Sequence, residues 1–425
     1  MEGWRATRIG ELGKVVTGKT PPANISDVFG GSIPFITPRD MLGSRFIDVT
    51  ERYLTEKGGG ILSRYFLPKN SILVSCIGSD MGKVAISKNE SVTNQQLNAI
   101  VVKEEISWLY IYYNLLPRKQ ELKSIAGGSA QPILNKSSFS NIEILLPGFI
   151  EQQAIAHILG TLDDKIELNR RQNATLEAMA QAIFKDWFVD FGPVRAKMEG
   201  RQPEGMSREI ADLFPDRLDD EGKPEGWKWG TLGEYAQLNP ESWSKKKYPD
   251  KIYYVDLSNT KWGTIESISH YDKEKAPSRA QRVLRIGDTI IGTVRPGNGS
   301  FAYIGCNGLT GSTGFAVLRP RKETYKEFIY CAATDKYNID RISFLADGGA
   351  YPAVKPEIIL DTQVCICIES VMKEFSMLLS ALMKKIEENK KQNLNLALIR
   401  DNLLPKLISG ELRVPDAEKM VADIV

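Results

Sequence analysis

Several stretches of this sequence carry residue types that do chemistry in other proteins, and each can be tested on its spacing. Gly13-Lys14-Val15-Val16-Thr17-Gly18-Lys19-Thr20 satisfies the phosphate-loop pattern G-x4-G-K-[ST] letter for letter. Such a loop works when its backbone amides sit at the N-terminus of the helix that follows. Here Pro21-Pro22 follow, which hold Thr20 extended, and Ala23-Asn24-Ile25-Ser26-Asp27 shows no helical stripe. Nucleotide binding is therefore not expected. Gly78-Ser79-Asp80-Met81-Gly82-Lys83 is one residue short of the same pattern. An adenine methyltransferase needs an Asn/Asp-Pro-Pro-aromatic run, and Asn239-Pro240-Glu241-Ser242 lacks the second proline and the aromatic. Pro215-Asp216 with Glu221-Gly222-Lys223 resembles a nuclease signature, but the carboxylates are too close in sequence and read as solvated charge. The only histidines, His157 and His270, fall in a helical stretch and a polar loop. Five cysteines contain no CxxC pair, and Cys365-x-Cys367 reads as part of a buried strand, so no metal site is expected.

With catalysis set aside, the elements come into view. The chain has 425 residues, with 55 Lys plus Arg against 53 Asp plus Glu, a formal charge of +2. That length suggests two or three domains, and the near-neutral balance carries no global sign of nucleic acid, because phosphate binding depends on local basic surface. No signal peptide or membrane-length apolar run is present, which points to a soluble, reducing, cytoplasmic setting. The sequence repeats itself. Gly3-Trp4 and Gly226-Trp227 open two similar segments at an offset of 223, and Ala126-Gly127-Gly128-Ser129-Ala130-Gln131-Pro132 corresponds to Ala346-Asp347-Gly348-Gly349-Ala350-Tyr351-Pro352 at 220. At 220 again, Leu162-Asp163-Asp164-Lys165-Ile166-Glu167-Leu168-Asn169 corresponds to Leu382-Met383-Lys384-Lys385-Ile386-Glu387-Glu388-Asn389.

Each copy has strand-like runs separated by turn signals, then one long helix. The fold class expected is α+β, two tandem copies of an α+β domain followed by a long helix, with the helices pairing as an antiparallel coiled coil. The seam reads Leu162, Ile166, Asn169, Asn173 and Leu176 in the first helix and Leu382, Ile386, Asn389, Asn393 and Leu396 in the second. About 40 helical residues make a rod of roughly 60 Å. Antiparallel pairing puts the globular regions at opposite ends about a pseudo-twofold axis, a shape suited to two half-sites on a duplex. The connecting stretch is also long enough for parallel packing, the less economical arrangement.

These features resemble the specificity (S) subunits of type I restriction-modification systems. The residues that carry the resemblance are the Gly-Trp openings, Thr17-Gly18-Lys19-Thr20-Pro21, Pro34-Phe35-Ile36-Thr37-Pro38, Thr93-Asn94-Gln95-Gln96, Ile144-Leu145-Leu146-Pro147 and the run Phe188 to Gly200. The resemblance implies a non-catalytic protein with target recognition domains at 1–147 and 226–368. Spacer helices are implied at 148–191 and 369–410, with a linker at 192–225 and a C-terminal tail at 411–425. It implies a bipartite asymmetric site on double-stranded DNA and partnership with two modification (M) subunits, forming an adenine N6-methyltransferase, and with two restriction (R) subunits. No cofactor is implied for this chain; S-adenosylmethionine and ATP belong to the partners. The second half departs from the family pattern at Tyr253-Tyr254-Val255-Asp256-Leu257 and Thr310-Gly311-Ser312-Thr313. The competing reading is a coiled-coil scaffold or partner-binding protein without DNA specificity.

Base edges are read by Arg/Lys at guanine and Asn/Gln at adenine, while phosphates set register. Candidate DNA contacts on loops flanking strands are Lys19, Arg39, Ser79, Lys83, Asn94 and Gln95 in the first domain. In the second they are Lys261, Arg279, Arg282, Arg295 and Asn298, with Trp262 beside Lys261. The outer helix faces, with Lys165, Arg170, Arg171, Lys384, Lys385, Lys390 and Lys391, are read as solvated or as partner-facing.

Overall fold

The computed structural model describes residues 3–78, 81–127, 132–244, 247–346 and 352–422. It divides into two compact units: 1–169 with 392–425, and 170–391. Ser79 and most of the Gly-rich repeat at 126–132 and 346–352 lie outside the described residues.

In the first unit a five-stranded sheet has the order Gly13–Thr17, Leu97–Val102, Ile72–Ser75, Val84–Ser87, Phe46–Ile47. A three-stranded sheet, Arg52–Leu54, Phe29–Ile36, Val92–Thr93, lies in the same unit. Most neighbouring strands are antiparallel, and the apolar runs that suggested strands fill the core: Ile72, Leu73, Val74, Ala99 and Ile100 are fully buried. A ribbon closes the domain, Arg5–Arg8 pairing with Glu143–Leu146. Pro147-Gly148 end that ribbon and the first long helix, Phe149–Phe188, begins at once. Its start is fixed by buried Gln152, which donates to Pro147 O at 2.8 Å and accepts from the Ser107 amide at 3.0 Å. Trp4 of the opening motif donates to Glu151 at 3.1 Å.

The second unit repeats this plan. One four-stranded sheet runs Ala236–Leu238, Phe315–Pro320, Thr289–Gly292, Phe301–Tyr303, and another runs Ser269–Asp272, Lys251–Val255, Leu309–Ser312, Ala280–Val283. The closing ribbon is Lys228–Thr231 with Gln363–Ile366, and the second long helix, Glu369–Ile408, follows it. Cys365 lies buried in that ribbon, and burial pushes its thiol up to about 12, consistent with a small apolar side chain rather than a nucleophile. Trp227, the counterpart of Trp4, has a different role: it packs against Phe188, Phe191 and Phe214.

Residues 192–225, expected as a linker, hold the helices Gly192–Met198 and Arg208–Ala211 and bury Val194 and Phe214 in the core of the second unit. The apolar side chains within this charge-rich stretch find the aromatic cluster of Trp187, Phe188 and Trp227. The tail likewise folds: helix Val414–Val421 buries Ala417 and Val421 in the first unit.

Within each unit the long helices run antiparallel. In the first, Leu162 and Ile166 share a core with Leu396, Leu403 and Leu407, and Asn169 donates to Gln392 Oε1 at 2.8 Å and Asn393 Oδ1 at 2.9 Å. In the second, Leu176, Ala180 and Phe184 share a core with Phe375, Leu382 and Ile386. There Asn389 donates to Gln172 Oε1 at 3.1 Å and Asn173 Oδ1 at 2.9 Å. Asn169 and Asn389 are buried, while Asn173, Leu176, Leu382 and Asn393 are half-buried.

Candidate nucleic-acid interface

In the first unit, two motifs distant in sequence meet. Gly18 runs against Thr93–Asn94 so closely that a Cβ there would lie 2.2 Å from Thr93 Oγ1 and 2.4 Å from Asn94 O, so only glycine fits. The Lys19 amide then donates to Thr93 O at 2.9 Å, and Thr20 Oγ1 donates to Gln95 Oε1 at 2.7 Å. Lys19, Asn94 and Gln95 are thus brought together, but not in one role. Asn94 is buried and spends its amide on its own loop, donating to Gln96 Oε1 at 2.8 Å and accepting from the Gln96 amide at 3.1 Å. Lys19 and Gln95 face solvent.

The stretch matching the phosphate-loop pattern is an extended strand over Gly13–Thr17, with no helix after Lys19-Thr20. Its amides therefore build sheet rather than wrap a phosphate. The Pro34-to-Pro38 motif is structural: Phe35 and Ile36 are buried, and Thr37 forms a capping box with Asp40. Arg39 projects from that turn, its side chain 83% exposed and 4.0 Å from Glu51. Lys83 is half-buried in a separate turn, its amide donating to Ser75 Oγ at 2.9 Å.

In the second unit the hairpin of Thr260–Lys261 and Thr264–Ile265 packs against the strand Phe301–Tyr303, which follows the turn Pro296–Asn298. The Trp262 amide donates to Gly299 O at 2.7 Å, and the indole lies edge-on to Phe301 at 5.7 Å while remaining 59% exposed. Trp262 and Arg295 both adopt left-handed backbone, φ 45° and 48°, a sparsely populated state held by the loops around them. Arg295 and Asn298 share one turn, the Asn298 amide donating to Arg295 O at 2.9 Å, and Lys261 precedes the Trp262 that bonds the end of that turn; all three are exposed. Arg279 and Arg282 lie elsewhere, on the sheet edge beside Ser312. Arg282 is half-buried with one guanidinium nitrogen donating to Ser242 at 3.2 Å, and burial lowers its pKa.

Charges that sequence reading placed on solvated faces prove to be tied down. Lys390 donates to Gly263 O and pairs with Glu387, both at 2.9 Å. Nearby, burial pushes the Glu177 carboxyl up, against the pull of Lys390 and of a hydrogen bond from Tyr330. Asp216 pairs with Lys197 at 2.6 Å, and Glu221 with Lys223 at 2.7 Å, which leaves the nuclease-like carboxylates as salt bridges. Among the described residues no group of three His, Cys, Asp or Glu is placed to hold a metal, and no helix is long and apolar enough to cross a membrane. Sequence reasoning passed over Lys14, Arg64 and Lys136, which join Lys19 around one groove. They come from three separate segments, so no local spacing marks them.

Residues 1–178 match the family described as the type I restriction modification DNA specificity domain. The chain is 32% identical over 430 residues to the type I restriction enzyme MjaIX specificity subunit of Methanocaldococcus jannaschii, covering 97% of this chain and 94% of that one. It is 36% identical over 176 residues to the HindI specificity subunit of Haemophilus influenzae, covering 40% and 38% of the two chains. Among solved structures, the S subunit of a type I restriction-modification system from M. genitalium aligns with a TM-score of 0.54 at 18% identity. That alignment covers 95% of this chain and 96% of that one, a likeness of fold.

Proposed function

The chain belongs to the specificity subunits of type I restriction-modification systems, and from that membership we propose how its two copies divide a DNA target. An S subunit is the non-catalytic component that recognises DNA and directs the modification and restriction subunits to their target. We assign a recognition domain to residues 1–147 and another to 226–368, each reading one half of a bipartite, asymmetric site on duplex DNA. The observation that carries this is the duplication: each copy has two mostly antiparallel sheets, a closing ribbon and then a long helix, while the exposed loop residues differ. Equivalent folds with unequal loops suit two different half-sites.

On this reading Lys19 and Gln95 of the first domain, and Lys261, Arg295 and Asn298 of the second, face the major groove. Arg39, Lys83, Arg279 and Arg282 serve backbone or structural roles. The partners are two M subunits acting on adenine N6 and two R subunits, with S-adenosylmethionine and ATP bound by those partners. The experiment is methyl transfer by the purified complex of this chain with its M subunit on a randomised DNA library. The expected product is one methylated motif with two defined halves and an undefined spacer. An assembled complex that methylates without sequence preference would favour the scaffold reading instead.

A further inference from the structure

The first unit carries a groove that base reading does not require. It follows the edge of the five-stranded sheet, where Gly13–Thr17 is the outermost strand, and its volume is about 430 Å³. Lys14 comes from that strand, Lys19 from the turn after it, Arg64 from the turn Ser63–Tyr65, and Lys136 from the start of helix Lys136–Ser140. All four are exposed, and among the described residues no carboxylate lines the groove. Tyr65 forms part of the wall, with Lys19 Nζ 6.0 Å from its ring centre. A lysine on an edge strand also guards against strand pairing, but that use accounts for Lys14 alone. Four cations converging from separate segments repel one another, and a polyanion in the groove relieves that repulsion.

The matching place in the second unit is neutralised. Its edge strand Ala236–Leu238 runs into Asn239-Pro240-Glu241, where Glu241 is gripped by Arg285 at 2.7 Å and also by Arg319. Arg319 in turn pairs with buried Asp288 at 2.8 Å. Hydrogen bonding from Arg285 first, and the charge of Arg319, hold the Glu241 carboxyl down to about 2. Arg285 and Arg319 there already have their anions.

The geometry points to a phosphodiester-binding groove on the first domain, lined by Lys14, Arg64 and Lys136 and bordered by the base-reading Lys19, a groove whose place among the described residues of the second domain is taken by paired charges. The two domains then share the work unequally: both read bases, and the first also anchors the backbone. This rests on the chain's role as an S subunit. Phosphate chemistry is shared by duplex DNA and free nucleotides. Duplex is favoured because the groove floor is extended strand, which offers no amide nest for a single phosphate, and because exposed Gln95 adjoins it through Thr20.

The test measures binding of the full chain, in complex with its M subunits, to DNA bearing the methylated motif over a range of salt. Each phosphate contact contributes about 0.9 to the slope of log K against log salt. The triple variant Lys14→Gln, Arg64→Gln, Lys136→Gln is expected to lower the slope by about 2 to 3 with the methylated motif unchanged, whereas Arg285→Gln leaves the slope where it was. An unchanged slope in the triple variant overturns the groove. So does loss of M-subunit assembly with an unchanged slope, which would make it a docking site for an acidic protein surface. Competition by ATP or inorganic phosphate beyond that of chloride at matched ionic strength overturns the duplex assignment. Failure of the unsubstituted complex to select any motif strikes the S-subunit reading itself, and so is distinguishable.

Discussion

Asn94 and Gln95 are adjacent and of like chemistry, yet their surroundings separate them. Asn94 is consumed by its loop, whereas Gln95 is exposed beside Lys19. Gln95→Ala is therefore expected to relax preference at one base position of one half-motif, by about 1–3 kcal/mol of discrimination. Asn94→Ala is expected to weaken that whole half-site by loosening the loop. Methylation of single-base variants of the motif separates the two outcomes. Glu327 makes a residue-scale claim of another kind. It is 1% exposed, accepts from Ser376 at 2.8 Å, leaves Oε1 without a hydrogen bond, and has Lys326 at 3.8 Å. Burial raises its pKa above the usual carboxylate range, with Ser376 and Lys326 opposing and Glu323 assisting. A carboxyl with a raised folded pKa contributes stability below its unfolded pKa and loses it as pH rises through the folded value. Glu327→Gln is thus expected to stabilise the chain at pH 8 by on the order of 1 kcal/mol and to flatten its decline from pH 5 upward. Urea midpoints across that range check it, and an unchanged pH profile would refute it. At this scale the sequence marked Lys19, Asn94 and Gln95 alike as contact types, but burial, which hides Asn94 and half-hides Arg282, is a property of packing that no residue type announces.

The helix pair was the most legible element, because heptad spacing and matched asparagines survive duplication. Asn169 and Asn389 each donate to a Gln and an Asn of the opposing helix, so the polar layer that costs stability also fixes register. What spacing did not reveal is where the copies diverge. Asp163 and Arg400 occupy positions whose counterparts at the 220-residue offset are Met383 and Ala180. In the first unit buried Asp163 accepts from Arg400 at 2.6 Å and from Tyr113 at 2.7 Å, whereas in the second the corresponding Ala180 and Met383 are simply packed. Burial opposes the Arg400 charge, but Asp163 and Asp401 outweigh it and its pKa is raised. Removing one partner leaves a buried charge, so Asp163→Ala or Arg400→Ala is expected to cost about 3–5 kcal/mol. The double variant Asp163→Met with Arg400→Ala installs the second unit's own solution and is expected to recover most of that loss. Additive single costs in a denaturation cycle would show that the pair is not coupled.

At the scale of the whole molecule, the duplication gives the chain its logic: two domains, each followed by a long helix, with the helices, on the function proposed above, setting the distance between half-sites. The order of domains and helices was legible because repeats survive as offsets. The folded character of residues 192–225 was not, since Val194 and Phe214 are sparse among charges and gain meaning only against Trp187 and Trp227. The reading that the helices act as a ruler makes the sharpest claim. Deleting one heptad from each helix preserves the seam and removes about 10 Å, equivalent to about three base pairs of duplex. The decisive measurement is sequencing of methylated DNA from cells carrying the M subunit with either the full chain or the double-heptad deletion. The account expects a bipartite motif from the full chain, and from the deletion the same two halves with a shorter spacer or no methylation at all. The same halves at an unchanged spacing would contradict it.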